Sequence, residues 1–166
     1  MNRKIKIFTA IVALSFLAGC ANEQTETNSA TSAPRHDMIS GTAVAPDGDT
    51  VLIENNYLDL WGIEAPNLDN SDGWYSRAAL DRFIGEGSDL VCIVKVKRKK
   101  RRNLAICSNS KVGDVGRAML QNGWAVVNRT DKKSQDVDSA LAGVYQRTEI
   151  RAREARLGLW VNYPLR

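Results

Sequence analysis

The chain has 166 residues, 43% hydrophobic and 25% charged, an ordinary balance for one globular domain and too short for two. Lys and Arg number 23 against 19 Asp and Glu, with three Cys and a single His at position 36. That composition argues against a His-based catalytic dyad and leaves too few ligands for a zinc site of the Cys/His type, and no apolar run beyond residue 20 is long enough to cross a bilayer.

The first segment reads as an address. Arg3, Lys4 and Lys6 form a positive start, and Ile7 to Leu17 is apolar but short for a membrane span. It runs into Leu17-Ala18-Gly19-Cys20. Small residues before a Cys resemble a bacterial lipoprotein signal, so residues 1–19 are expected to be removed and Cys20 acylated. The alternative is a plain secretory signal with an incidental Cys. Two or more acyl chains would anchor the chain firmly to a membrane. By resemblance to the lipoprotein sorting rule of diderm bacteria, Ala21 rather than Asp at this position favours the periplasmic face of the outer membrane. Loss of Arg3, Lys4 and Lys6 leaves 20 basic against 19 acidic residues, a net charge of +1 rather than +4. The basic character of the full chain therefore does not by itself imply a nucleic-acid partner. Residues 20–38 comprise the lipidated Cys and a Ser/Thr/Asn-rich tether with little to bury, and His36 reads as a solvated tether residue.

The domain is expected over residues 39–166. Ile39 to Val44, Thr50 to Glu54 and Tyr57 to Ile63 read as strands, separated by the turn signals Asp47-Gly48 and Asn55-Asn56. Ala79, Leu80, Phe83 and Ile84 make a helical stripe over Ser76 to Ile84, stopped by Gly85 and Gly87. Leu90 to Val96 and Leu104 to Ser108 read as two more strands. Val115 to Gln121 reads as a helix ended by Asn122-Gly123. A long charged helix begins at Gln135 or Asp138, runs to about Leu157 and is ended by Gly158. Five strands and about three helices predict an α+β fold built on a small barrel.

Cys92 and Cys107 lie one on each arm of the predicted fourth–fifth strand hairpin. Facing residues in an antiparallel pair keep a constant index sum, so the two can be neighbours across the ladder. With an export signal, a disulfide is expected, the alternative being two buried free thiols. Between them lies a basic run. Lys95, Lys97, Arg98, Lys99, Lys100, Arg101 and Arg102 place seven cations in eight residues, leaving the rest of the mature chain at −6. Lys97 to Arg102 reads as an anion-binding finger suited to lipid headgroups, nucleic-acid phosphates or anionic envelope glycans. A solvated turn that deters edge pairing would look the same. No aromatic interleaves the run, so stacked single-strand binding is not suggested.

Five blocks occur in order: Asp47-Gly48-Asp49-Thr50, Leu60-Trp61-Gly62-Ile63-Glu64-Ala65-Pro66, Arg102-Asn103-Leu104-Ala105, Asn122-Gly123-Trp124-Ala125, and Tyr145, Glu149, Ala152-Arg153 with Gly158-Leu159-Trp160. Together they resemble the staphylococcal nuclease (thermonuclease) family across nearly all of residues 39–160. The resemblance implies a five-stranded OB-fold barrel with three helices. It also implies phosphodiester hydrolysis by attack of water, assisted by calcium. Asp49 matches the first metal carboxylate, Glu64 stands where the second is usually Asp, and Ala65 would supply a carbonyl. Two acidic surface residues near a turn would give the same pattern.

The remainder of the matched site departs from the family. Arg102 matches one phosphate-clamping arginine, but Asp59 occupies the position of the other. Asn67 occupies the position of the glutamate that handles the attacking water, and an amide cannot accept a proton at neutral pH. Lys100 and Arg129 match two aromatic positions that contact the nucleotide. Asp69 or Asp72, on an expected loop, could replace the base, and Lys100 or Arg101 the lost positive charge. The reading is a nuclease-like lipoprotein with a degenerate site that binds anionic polymers or an envelope protein partner. The alternative is a calcium-dependent extracytoplasmic nuclease with an altered site. Trp61, Trp74, Trp124 and Trp160 are expected to pack in the core or its rim, and Tyr145 and Glu149 to brace the last helix against the body.

Overall fold

The computed structural model describes residues 37–85, 89–130 and 136–161. The expected signal, the lipidated Cys20, His36, Gly87 and a helix start at Gln135 lie outside them. The first three strands are β1 (Met38–Val44), β2 (Thr50–Ile53) and β3 (Asn56–Leu60). They follow the alternation in the chain, and Val51, Ile53, Leu58 and Leu60 point inward and are buried. The turn between β2 and β3 falls on Glu54-Asn55 rather than Asn55-Asn56, because Ile53 pairs directly with Asn56. Glu54 takes the left-handed conformation at φ 54°.

The expected third strand is cut in two. Gly62 turns the chain at φ 75°, and the following β4 (Ile63–Glu64) leaves the main sheet to pair with β8 (Val126–Val127). The turn tucks Trp61 into the core, edge-on to Tyr145 with ring centroids 5.5 Å apart.

Helix α1 (Ser71–Ile84) starts five residues before its apolar stripe. Asn70 caps it by accepting a hydrogen bond from the Gly73 amide at 3.0 Å, and Asp72 favours the positive end of the helix dipole. Asp72 is thus helical, not on a loop. The first turn escapes a periodicity reading because Trp74 and Tyr75 face solvent. Trp74 is 54% exposed, with the Arg77 guanidinium 5.7 Å from its ring, so it is neither core nor rim. Helix α2 (Val115–Gln121) has the expected bounds and is capped by Asp114. Helix α3 (Ser139–Glu154) is capped by Asp138. It stops short of Leu157 because Arg156, ahead of Gly158, already takes φ 53°. A 3-10 turn over Gly158–Val161 follows.

Strands β5 (Asp89–Val96) and β6 (Asn103–Asn109) form the long hairpin, and β7 (Gly113–Asp114) pairs with the end of β6. Sheet order is β3-β2-β1-β5-β6-β7, and β3 also pairs with β6 in parallel, which closes the barrel. The fold is therefore the expected α+β OB-type barrel of five main strands with three helices. Cys92 faces Cys107 directly in the β5–β6 register and the two form a disulfide, with Cα atoms 4.0 Å apart. Beyond the disulfide the register slips by one residue between Val94 and Val96. This bulge precedes the basic turn.

Candidate functional site

Barrel closure builds the site. The parallel β3–β6 pairing sets Asp59 beside Leu104, two residues after Arg102, while the β2–β3 ladder sets Asp59 opposite Thr50. The Asp47-Gly48-Asp49 turn closes over the same end. Gly48 is required there, since a Cβ would lie 2.7 Å from the Cβ atoms of both Ala65 and Ser76. The result is a cleft of about 240 Å³ lined by Asp47, Asp49, Thr50, Asp59, Arg98 and Arg102 among others.

Within the cleft the charges are satisfied by one another. Arg102 Nη1 donates to Thr50 Oγ1 at 2.8 Å and lies 3.5 Å from Asp59 Oδ1 and 3.6 Å from Asp47 Oδ2. Its guanidinium carbon also sits 5.3 Å from the centre of the Tyr57 ring. Thr50 Oγ1 is 3.2 Å from Asp59 Oδ1, and Arg98 Nη1 is 3.8 Å from Asp59 Oδ2. Asp59 thus stands against both arginines.

Asp49 Oδ2 accepts the Ala65 amide at 2.8 Å. Burial, with the charge of neighbouring Asp47, outweighs that hydrogen bond and pushes the Asp49 carboxyl up to about 7 from 3.8. The folded chain then holds a proton here that the unfolded chain has released, so stability falls as pH rises from about 4 to 7. Asp49→Asn keeps an acceptor for the Ala65 amide and removes this cost. In metal-free buffer it is expected to stabilise the fold by about 2 kcal/mol at pH 8 and by little at pH 4. Urea melts at the two pH values measure this, and equal shifts at both would refute it.

The other matched residues are not gathered here. Glu64 is exposed and lines an adjoining open shelf of about 700 Å³ with Arg98, Lys99, Lys100, Arg101 and Arg102. Ala65 presents its amide to Asp49. Among the described residues no group of three or more His, Cys, Asp or Glu is placed to hold a metal. Calcium takes six to eight oxygens. The other carboxylates of the cleft, Asp47 and Asp59, face Arg102 and Arg98, and Glu64 lies on the shelf, so the donors beside Asp49 do not fit a resident calcium ion. Asn67 is exposed on the β4–α1 connection. Asp69 and Asp72 do not line the cleft, and Asp69 instead accepts from Asn70 Nδ2 at 3.1 Å. The second arginine in the cleft is Arg98, whereas Lys100 and Arg101 stay on the shelf. Sequence reading missed Arg98 in this role. Its backbone amide donates to Asn103 Oδ1 at 2.9 Å, which folds the turn back and carries the side chain inward.

The seven cations of the hairpin divide by partner. Lys95 pairs with Asp138, Lys97 with Asp37, Arg98 with Asp59, and Arg102 with Asp47 and Asp59. Lys99, Lys100 and Arg101 have no carboxylate partner among the described residues.

Away from the site, Tyr145 and Glu149 brace α3 as expected. The Tyr145 hydroxyl donates to the Asp114 carboxylate at 2.8 Å, and burial and that carboxylate push its ionisation well above the usual range. Arg129, matched to an aromatic position, turns instead to Glu149.

The family model for staphylococcal nuclease homologues matches residues 58–162. The chain belongs to the staphylococcal nuclease family. The match runs from β3 through the last turn, and so includes the β3–β6 closure that forms the cleft. A curated relative, the succinoglycan biosynthesis protein ExoI of Rhizobium meliloti (strain 1021), is 27% identical over 138 residues, covering 77% of this chain and 68% of that protein. Inside the matched region Asp59 is seated against two guanidinium groups, those of Arg98 and Arg102.

Proposed function

We propose that this member of the staphylococcal nuclease family binds anionic polymers at the cell envelope through its β5–β6 hairpin and does not hydrolyse phosphodiesters efficiently. One observation carries the reading: Arg102, the guanidinium matched to phosphate clamping, is already engaged by Thr50, Asp59 and Asp47. A phosphodiester entering the cleft would have to displace a carboxylate of the chain itself, where an efficient enzyme presents open donors to the developing charge. Asn67 adds no proton acceptor. Attachment through an acylated Cys20, on the periplasmic face of the outer membrane, would hold the domain beside envelope polymers. The name of the ExoI relative, a succinoglycan biosynthesis protein, is compatible with work beside polysaccharide.

The unpaired cations set the expected strength. If Lys99, Lys100 and Arg101 make the contacts, the logarithmic salt slope on duplex DNA is about −3, against about −5 if all six residues from Lys97 to Arg102 contribute. Glutamine at these three positions is expected to abolish the slope for DNA and for vesicles containing anionic lipid. An unchanged slope refutes the hairpin as the contact surface. The rival reading is a calcium-dependent nuclease in which Asp49, Glu64 and the Ala65 carbonyl hold the ion. Plasmid nicking and single-strand cleavage with calcium, in wild type and Asp49→Ala, separate the two. Cleavage present in wild type and lost in Asp49→Ala would overturn our reading.

A further inference from the structure

A second groove lies between α1 and α2, away from the acidic cleft. It has a volume of about 540 Å³ and is lined by Tyr75, Phe83, Trp124, Arg82, Lys111 and Asn122 among others. Tyr75 is 60% exposed, and its ring centroid lies 6.3 Å from that of Trp124 at an interplanar angle of 40°. These two rings are splayed, so they do not make the parallel plates that sandwich a flat base. Both rings line the groove at an angle to one another, and the electron-rich faces of such rings are complementary to the polarised C–H groups of a sugar ring.

The polar groups at the rim complete a donor and acceptor set. Asn122 uses its Nδ2 on the Ala118 carbonyl at 2.9 Å, which leaves its oxygen as an acceptor for hydroxyl groups. Lys111 is held by the Arg82 carbonyl at 3.0 Å, while the Arg82 guanidinium has no hydrogen-bond or ion-pair partner among the described residues. Two cations therefore stand at the groove, with no acidic residue lining it among the described residues. An aromatic floor, a hydroxyl acceptor and uncompensated positive charge together call for a ligand with an apolar ring face, hydroxyls and a carboxylate.

We propose that this groove binds an acidic sugar residue of a polysaccharide, with its ring against Tyr75 and Trp124 and its carboxylate toward Arg82 and Lys111. The site is separate from the hairpin, and its test does not depend on that reading.

Trigalacturonic acid is the probe, titrated into the full chain and followed by backbone amide NMR. The titration is run in a Lys99→Gln, Lys100→Gln, Arg101→Gln background, so that hairpin binding does not contribute. Shifts confined to groove residues are expected. Tyr75→Ala and Arg82→Gln each alter an exposed side chain, and each is expected to weaken binding at least tenfold with thermal stability unchanged. The methyl-esterified trimer, which lacks the charge, is expected to bind at least fivefold less tightly. Absence of groove shifts, binding indifferent to both substitutions, equal affinity for the neutral trimer, or tighter groove binding of a trinucleotide would each overturn the assignment.

Discussion

Glu149→Ala is expected to destabilise the fold by about 3 kcal/mol, because it removes a buried acceptor that serves two elements at once. Glu149 is 3% exposed, near the middle of α3. Its Oε1 accepts the Val127 amide at 3.0 Å and Arg129 Nη1 at 3.2 Å, and its Oε2 faces Arg129 Nη2. Val127 belongs to β8, which among the described residues pairs only with the two-residue β4. A strand pair this short is marginal alone, so the helix carboxylate holds it in place. Alanine leaves the Val127 amide buried without its acceptor and opens a void beside α3. Thermal melting should fall by roughly 10 °C for a domain of this size. Arg129→Ala should cost only about 1 kcal/mol, because the Arg129 side chain is 63% exposed and water replaces it. A Glu149→Ala melt within 2 °C of wild type would show that α3 is held by other contacts.

Loss of the Cys92–Cys107 disulfide is expected to cost a similar amount. The bond spans 15 positions, and closing a loop of that length contributes about 3 kcal/mol in the chain-entropy model. Both cysteines are almost fully buried, so the paired change Cys92→Ala and Cys107→Ala adds a small packing loss to the entropic one. The disulfide also lies in the hairpin whose turn carries Arg98 to Arg102, so the basic turn should protect its amides from hydrogen exchange less well once the bond is gone. Wild type with reductant should melt like the double variant. If reductant leaves the wild-type melt unchanged while thiol labelling shows the bond open, the disulfide contributes nothing to stability.

Asp59 and Asn67 illustrate how sequence and structure divide the work. The resemblance singles out both positions from the sequence alone. What Asp59 does is not visible, because its partners Arg98 and Arg102 lie about 40 positions away. They reach it only when β3 pairs with β6 in parallel. Parallel pairing of distant strands leaves no local pattern, unlike a hairpin with its turn and constant index sum. On charge alone the sequence points to Lys100 or Arg101 for this place, whereas it is Arg98, its amide held by Asn103 Oδ1, whose side chain reaches Asp59.

The sequence alone determined what depends on neighbours along the chain. The inner faces of β1, β2 and β5 follow from period-two alternation, the bounds of α2 from its stop signal, and the disulfide from the register of one hairpin. Tertiary structure decided what depends on separate segments meeting. It broke the third strand at Gly62, paired four of the seven hairpin cations with acids of the body, and brought Tyr75 beside Trp124. Local pattern reports each residue's own conformational preference and burial, whereas charge pairing and site geometry depend on which distant groups closure of the barrel places within a few ångströms of one another.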